Sequence, residues 1–454
     1  MQTGRTVFPR LRSLGFLFFA AVFARAAAPT PDAIVIVAGD LHSAYDRTAQ
    51  FLARVDQVRA ENPGVPVAVM LNGDTFELGN AVAKRSAGAV EFALFTALAA
   101  RVPTIVNLGN HEPEFHGVAA TVAKIQATGA IVLAGNVLNP SNNQPYAPAS
   151  ARLPLGSREA TVVGITTDRL STFRVAVRPE LNLADPVVWA KQNLTLLLKD
   201  ASLPIVLTHT GLKVDRAILP LVPEGTLFAG AHDHLRFIHR AGRTTYFHSG
   251  SWTEFVSVAR LRVTASGPTW EIEQQLIGPD SPADAQLATF IRATLAQHLT
   301  PEETAIIGRT TRALGTTDAA LFAVRAIQHA AGAAAAMIGG TTFGGGLPAG
   351  DVSRFAFDAC VRFDGSLCVT EVDGAWLEKF MARANQGPQT KFDDRAGQNL
   401  VAVAPSTLDR AKRYRFVTTD WSVKNAKDYF GDDAPVFTEI PALKVKAAVM
   451  QALK

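Results

Sequence analysis

Cysteine is scarce in this chain: Cys360 and Cys368 are the only two in 454 residues. A disulfide framework is therefore excluded as the source of stability. The pair flanks Val361–Leu367, which carries an Asp364-Gly365 turn signal and reads as a hairpin. The two residues can then face each other as a disulfide or remain two buried thiols. Long apolar runs are missing as well. Leu14–Ala24 is the one candidate, and it is too short for a bilayer, which takes about 20 residues. It follows Arg5, Arg10 and Arg12 and precedes Ala24-Arg25-Ala26, so residues 1–26 read as a secretory signal peptide. No membrane span is expected after cleavage, and the expected location is periplasmic or secreted. Net charge is lacking too. Residues 1–26 contain four arginines and no acidic residue, so their removal takes the formal charge from +4 to zero. A neutral mature chain has no basic footprint for a nucleic acid polymer. Small anionic substrates stay open.

What the chain does have is five short hydrophobic runs that each end in residues able to hold a metal. Ile34–Ala38 leads into Gly39-Asp40-Leu41-His42, and Val65–Leu71 into Asn72-Gly73-Asp74. Thr104–Leu108 leads into Gly109-Asn110-His111-Glu112, Ile205–Leu207 into Thr208-His209, and Leu227–Ala229 into Gly230-Ala231-His232-Asp233-His234. Such runs read as buried parallel strands, and ligands of α/β sheets gather beyond the carboxyl ends of their strands. Five ends meeting at one crevice would bring together two Asp, one Asn and four His. Carboxylate, amide oxygen and imidazole suit divalent Mn, Zn or Fe. Two such ions about 3.5–4 Å apart can clamp the attacking and leaving oxygens of an in-line displacement. Asp74 stands alone after its strand and is the natural carboxylate for the two ions to share.

The order of these motifs resembles the calcineurin-like metallophosphoesterases, and within them the 5′-nucleotidase family. Asn110–Phe115, Ala134-Gly135-Asn136-Val137 and Val163–Thr167 resemble further segments of that family. The resemblance implies an α/β protein: an αββα-sandwich phosphoesterase domain followed by a smaller α/β C-terminal domain. It implies two divalent metal ions and a small phosphate-ester substrate, above all a nucleoside 5′-monophosphate, hydrolysed by in-line attack of a metal-activated water. One ion would take Asp40, His42, Asp74 and His234, and the other Asp74, Asn110, His209 and His232. His111 would lie over the phosphate as a catalytic group. The family orients that histidine with an aspartate. This chain has Glu114 there, after Pro113, on a longer stem that can reach His111 or point away. His116 reads as an exposed loop residue. His248, one hairpin beyond His232 and His234, can face the site or lie in the core.

Residues 32–265 alternate strand and helix, with helices at Thr48–Ala60 and Ala87–Ala100. Residues 266–300 read as linker and helix, the helix Asp284–His298 being capped from Ser281-Pro282. Residues 301–454 resemble the 5′-nucleotidase C-terminal domain through Ile306-Ile307-Gly308, Leu347–Val352 and Val372–Leu377. In that family two aromatic rings sandwich the base. Phe363 matches the first, and the second falls at Ser422, which Trp421 replaces if the loop shifts by one. The family's arginine-bearing element here reads Ile338-Gly339-Gly340-Thr341-Thr342, without arginine. Arg354 or Arg362 can supply it, and spacing does not choose between them. The missing arginine keeps other esters in play, in the manner of 2′,3′-cyclic nucleotide phosphodiesterases or thiosulfohydrolases. A third reading is a non-catalytic binding protein on the same scaffold.

Overall fold

The structure, a computed structural model, describes Met1 and residues 30–454; the expected leader at residues 1–26 lies outside the described residues. Two six-stranded sheets face each other. In the first, the order is Gly267–Leu276, Phe255–Thr264, Ala33–Ala38, Val67–Asn72, Thr104–Asn107 and Ile131–Leu133. In the second it is Arg236–Ala241, Thr244–Ser249, Leu227–Gly230, Leu203–His209, Arg158–Thr166 and Ser150–Leu155. The central strands run parallel: Val35 pairs with Ala68, Met70 with Ile105, and Val206 with Phe228.

Alternation within the apolar runs builds three layers of core, because successive side chains on a strand point to opposite faces. Ala33, Val35 and Val37 join Met70, Ile105, Leu207, Phe247 and Trp270 between the sheets. Ile34, Ile36 and Ala38 face outward, against Phe51, Leu52 and Val55 of the helix Tyr45–Glu61 and Leu94 and Phe95 of Ala89–Ala99. The second sheet is covered by Ala190 and Leu194 of Pro186–Leu198 and by Leu212 and Ile218. Both faces of the central strands are thus dry, which is why these strands read as unbroken apolar runs. A third, five-stranded sheet, Leu400–Val403, Ala335–Gly339, Arg413–Thr419, Ser366–Asp373 and Thr438–Lys444, forms the C-terminal α/β part.

Three local expectations need correction. Gly267–Leu276, placed in the linker by sequence, pairs along its whole length with Phe255–Thr264 and forms the edge of the first sheet. The helix Ala285–His298 is capped by Asp284, whose carboxylate accepts from Leu287 N, rather than from Ser281-Pro282. The segment between the cysteines is no hairpin. Ser353 caps a helix, Arg354–Cys360, that buries Phe357 and Cys360, and Cys368 lies on the strand Ser366–Asp373. Both thiols are free and buried. Among the described residues no helix is long and apolar enough to cross a membrane.

Burial pushes the Cys360 thiol up to about 12 and raises Cys368 as well, so neither is a ready thiolate nucleophile. Ellman's reagent should therefore find almost no reactive thiol in the native protein and two per chain in denaturant; no thiol in denaturant would show a disulfide after all.

Candidate metal centre

The five strand ends meet at one end of the sandwich, three from the first sheet and two from the second. Beneath them an amide ladder ties the sheets together. Asn72 Nδ2 donates to Thr208 O at 3.0 Å and Ala229 O at 2.9 Å, and Asn107 Nδ2 donates to Asn72 Oδ1 at 3.0 Å. Glu112 holds two loops together, accepting from Gly109 N at 2.6 Å, Asp74 N at 2.9 Å and Thr75 N at 2.7 Å. Asp74 Oδ1 accepts from His111 N at 2.8 Å, and the Asp40 carboxylate accepts from His232 N at 3.1 Å. Close approach is essential here. A Cβ on Gly109 would stand 2.3 Å from Asp74 Oδ1, and one on Gly73 the same distance from His209 Nδ1.

The backbone carrying the site is strained. Asp40, His42, Asp74, His232 and His234 all have positive φ, between 49° and 86°. Each such residue costs roughly 1–3 kcal/mol and persists only where the surroundings enforce it. Left-handed backbone at five of seven ligand candidates is the local signature of aiming side chains at a common point.

These loops place Asp40, His42 and His234 in one buried group, and Asp74 and His209 with the partly exposed His232 in a second. His42 Nε2 and His234 Nε2 face each other at 2.9 Å. Two imidazole nitrogens that close must share a proton or a cation. Asp40 Oδ1 lies 3.8 Å from His234 Nε2 and 4.0 Å from His209 Nε2, reaching both groups. Asp74 Oδ2 lies 3.0 Å from His209 Nε2. Asn110 Oδ1 is buried without a hydrogen-bond partner, while its Nδ2 donates to Thr172 O at 3.4 Å. A buried carbonyl oxygen left unpaired is expensive and fits a ligand held ready for a cation. Hard oxygens and imidazoles in two adjoining groups suit a pair of divalent ions.

Charge reinforces that fit. Burial, then the Arg362 charge, presses His42 down to about 4; burial, then His209, takes His232 to about 3. Burial and His42 hold His234 well below its ordinary value. These rings are neutral and keep a lone pair for metal. Burial pushes Asp40 up to about 8, with His209 opposing and Asp74 adding to the rise. His209 is held at about 10, because Asp74 and Asp40 outweigh its burial.

His111 stands apart. Its side chain is 16% exposed, against 4% or less for His42, His209 and His234, so it faces the mouth. Glu114 does reach it. The turn Glu112–Glu114, with Pro113 inside, brings Glu114 Oε1 to 2.7 Å from His111 Nδ1, an ion pair out of line with the ring N–H. The other Glu114 oxygen accepts from Leu78 N, and Glu114 O accepts from Arg174. Burial opposes a charged His111, but Glu114, Asp74 and Glu77 together hold it up at about 10.

Of the other histidines, His248 lies in the core, Nε2 2.7 Å from Tyr246 Oη and 3.1 Å from Asp215 Oδ2. His116 is half-buried, 3.2 Å from Ala87 O, and no exposed loop residue. Phe363 and Trp421 are 53% and 48% exposed, so neither is a core residue, whereas Ser422 is buried. Both arginines offered for the missing slot are engaged within the protein. Arg354 pairs with Asp358 at 3.0 Å, while Arg362 donates from Nη1 to Thr341 O at 3.1 Å, inside the element that lacks arginine. Two further residues carry no motif signal of a role in the sequence: Glu77, three places after Asp74, and Trp252, which stacks on His42 at 4.9 Å; Arg362, offered there for the missing arginine, contacts Glu77. Of these two, only Glu77 has a local sign in the sequence, its closeness to Asp74.

If these groups hold cations, the protons on His209 and Asp40 must leave, because ligands bind deprotonated. Adding Mn²⁺ or Zn²⁺ to chelator-stripped protein at pH 7 in weak buffer should release at least one proton per chain, and affinity should rise from pH 6 to 8. Uptake without proton release and with pH-independent affinity would contradict this.

Comparison with known proteins agrees with the geometry. Residues 34–236 match the family model of calcineurin-like phosphoesterases. Among curated proteins, none matches the sequence. Solved structures with the same full-length fold include a 5′-nucleotidase precursor from Thermus thermophilus, at 16% identity and TM-score 0.58 over 93% of this chain and 96% of that one. The sulfate thiohydrolase SoxB of Thermus thermophilus, solved with glycerol, aligns at 14% identity and TM-score 0.63 over 94% of each chain. A 5′-nucleotidase from Candida albicans aligns at 12% identity and TM-score 0.60 over 93% of this chain and 98% of that one. Residues 34–236 thus form a calcineurin-like metallophosphoesterase domain, and the full-length fold, with its separate C-terminal sheet, is like that of the 5′-nucleotidase structures.

Proposed function

We propose that the mature protein is an exported dinuclear-metal phosphomonoesterase acting on nucleoside 5′-monophosphates or closely related small phosphate esters. The observation that carries the reading is the pair of buried Asp/His groups with one part-exposed histidine, His111, at their edge. Asp40, His42 and His234 would hold one ion and Asn110, His209 and His232 the other, with Asp74 shared between them. Two bound ions would polarise the phosphate and make a water acidic enough to attack it in line.

The remaining work falls to the chain itself. His111, held as an imidazolium by Glu114, can hydrogen-bond a phosphate oxygen and give its proton to the leaving alkoxide. Asn110 lies beside it with Nδ2 directed at Thr172 O, which fixes its Oδ1. The Phe363 ring lies 4.9 Å from the Arg362 guanidinium, and Arg362 in turn touches Glu77 in the Asp74 loop. An exposed aromatic tied in this way to the site would stack on a base, and Trp421, one residue from the family's slot at Ser422, would supply the second ring if the loop shifts by one. Stacking is worth roughly 1–3 kcal/mol per base and tolerates any base. Selectivity among bases would need precisely placed polar groups, so the preference should be broad.

Three outcomes follow. His111→Ala should retain its metal and lose roughly 10²–10⁴-fold in kcat, with a smaller loss on nitrophenyl phosphate, whose leaving group needs no proton; loss of metal would make His111 a ligand. AMP, GMP, CMP and UMP should be hydrolysed with similar kcat/KM and each better than ribose 5-phosphate. Equality with the bare sugar phosphate would remove the stacking role, and turnover of 2′,3′-cyclic nucleotides or a thiosulfate ester alone would replace the substrate class. Protein expressed with its own leader and recovered from the cell exterior or periplasm should begin at Ala27 by intact mass; a full-length cytoplasmic product would overturn export.

A further inference from the structure

Besides the two Asp/His groups, a third set of ligand-type side chains sits in the same crevice: His42, Glu77 and His111. Glu77 Oε2 lies 3.3 Å from His42 Nδ1 and 3.9 Å from His111 Nδ1. A cation is already supplied there by the protein. Arg362 Nη2 contacts the same Glu77 oxygen, with both side chains only 4% exposed. Arg362 is held in turn by Thr341 O at 3.1 Å and lies over the Trp252 ring at 5.1 Å. Trp252 is the ring stacked on the opposite partner of Glu77, His42.

The geometry differs from that of a third metal site, because a guanidinium occupies the carboxylate. It is also a poor device for stability alone. Desolvating two charges offsets most of their attraction, so a buried pair contributes direction more than stability. The direction is specific. His42 and His234 present their Nε2 atoms to each other, so Nδ1 of His42 is the side away from the ligand group, and there Glu77 stands at ion-pair distance, out of line for a hydrogen bond. A carboxylate on the far nitrogen fixes tautomer and ring orientation of a metal-binding histidine.

We propose that Glu77 and Arg362 are positioning residues. Glu77 holds the Nδ1 side of His42 and His111 together, and Arg362, delivered from the C-terminal part, holds Glu77. This inference rests on the metal-centre reading of the Asp/His groups and deepens it. The next residue, Phe363, is an exposed ring 4.9 Å from the Arg362 guanidinium, so one two-residue step connects an exposed aromatic of the C-terminal part to the His42 and His111 face of the centre. Binding energy gained on that ring can then act on the orientation of the reacting groups as well as on affinity.

The test uses the full mature protein and four forms: wild type, Glu77→Gln, Arg362→Lys and the double variant Glu77→Gln/Arg362→Met, which leaves no lone buried charge. Mn²⁺ and Zn²⁺ affinities are measured by competition with a chromogenic chelator, without substrate, alongside circular dichroism. Glu77→Gln and the double variant should keep the fold and lose affinity for one of two ions by roughly 10–100-fold, leaving the other unchanged. For AMP, kcat should fall while KM stays near wild type. Arg362→Lys should lose less than Glu77→Gln, because lysine keeps the charge but not the fixed fork that also reaches Thr341 O. The double variant should be no worse than Glu77→Gln, since the pair acts as a unit. Wild-type affinity for both ions in every variant, with kcat unchanged, would overturn the pair as a positioning device; so would equal loss of both ions together with the fold. Because affinity is read without substrate, the pair is tested even if no phosphate ester is turned over. Wild type that binds no ion would instead overturn the metal-centre reading, and the pair with it.

Discussion

Two carboxylates, Asp40 and Asp74, are buried side by side at the end of an apolar sandwich, and the rest of the site answers that one fact. Isolated ionised carboxylates in such surroundings are prohibitively costly without compensating positive charge. The chain offers what partial compensation protein can: a charged His209 against Asp74, the His232 N–H on Asp40 and the His111 N–H on Asp74. The result is a compromise in which the Asp40 carboxyl is pushed up and two imidazoles, His209 and His111, are held protonated. A pair of divalent cations relieves Asp40 and His209 at once. The amide ladder, the Glu112 clamp, the bare Gly73 and Gly109 and the left-handed backbone are all ways of holding these groups at the required closeness.

That closeness is expensive, and the sandwich meets the cost. The central strands of both sheets are covered on both faces, so the strand ends are rigid and the loops beyond them are short. Backbone strain at five ligand candidates can persist because cross-loop hydrogen bonds leave those residues no alternative conformation. The C-terminal part is joined to the same network rather than placed beside it. Its Arg362 enters the crevice as a buried cation, and its Phe363 remains outside as an exposed ring.

Much of this was legible in the sequence, for identifiable reasons. Parallel strands buried on both faces leave continuous apolar runs, and ligands at their carboxyl ends fall in chain order after each run. The five strands and the order of the motifs could therefore be read directly, and six of the seven ligand candidates so marked fall into the two groups. What sequence hid was contact between distant loops. Nothing local says that Glu114, on a stem longer than the usual aspartate, still reaches His111. Nothing local says that Arg362, 285 positions after Glu77, sits on its carboxylate. The hairpin expected between Cys360 and Cys368 failed because the apolar residues before it carry a helical spacing, Phe357 and Cys360 on one buried face, and this outweighed the Asp-Gly turn signal. The ten-residue partner strand Gly267–Leu276 leaves no unbroken apolar run, because as an edge it buries Trp270 alone and keeps its other residues exposed or half-buried.

The central claim is that the two Asp/His groups are one dinuclear metal centre, and anomalous diffraction from crystals of Mn²⁺-loaded protein tests it most directly. The account predicts two anomalous peaks, one among Asp40, His42 and His234 and the other among Asp74, Asn110, His209 and His232, with a carboxylate between them and Arg362 still on Glu77. A single peak, or a peak at Glu77 in place of the guanidinium, would contradict it.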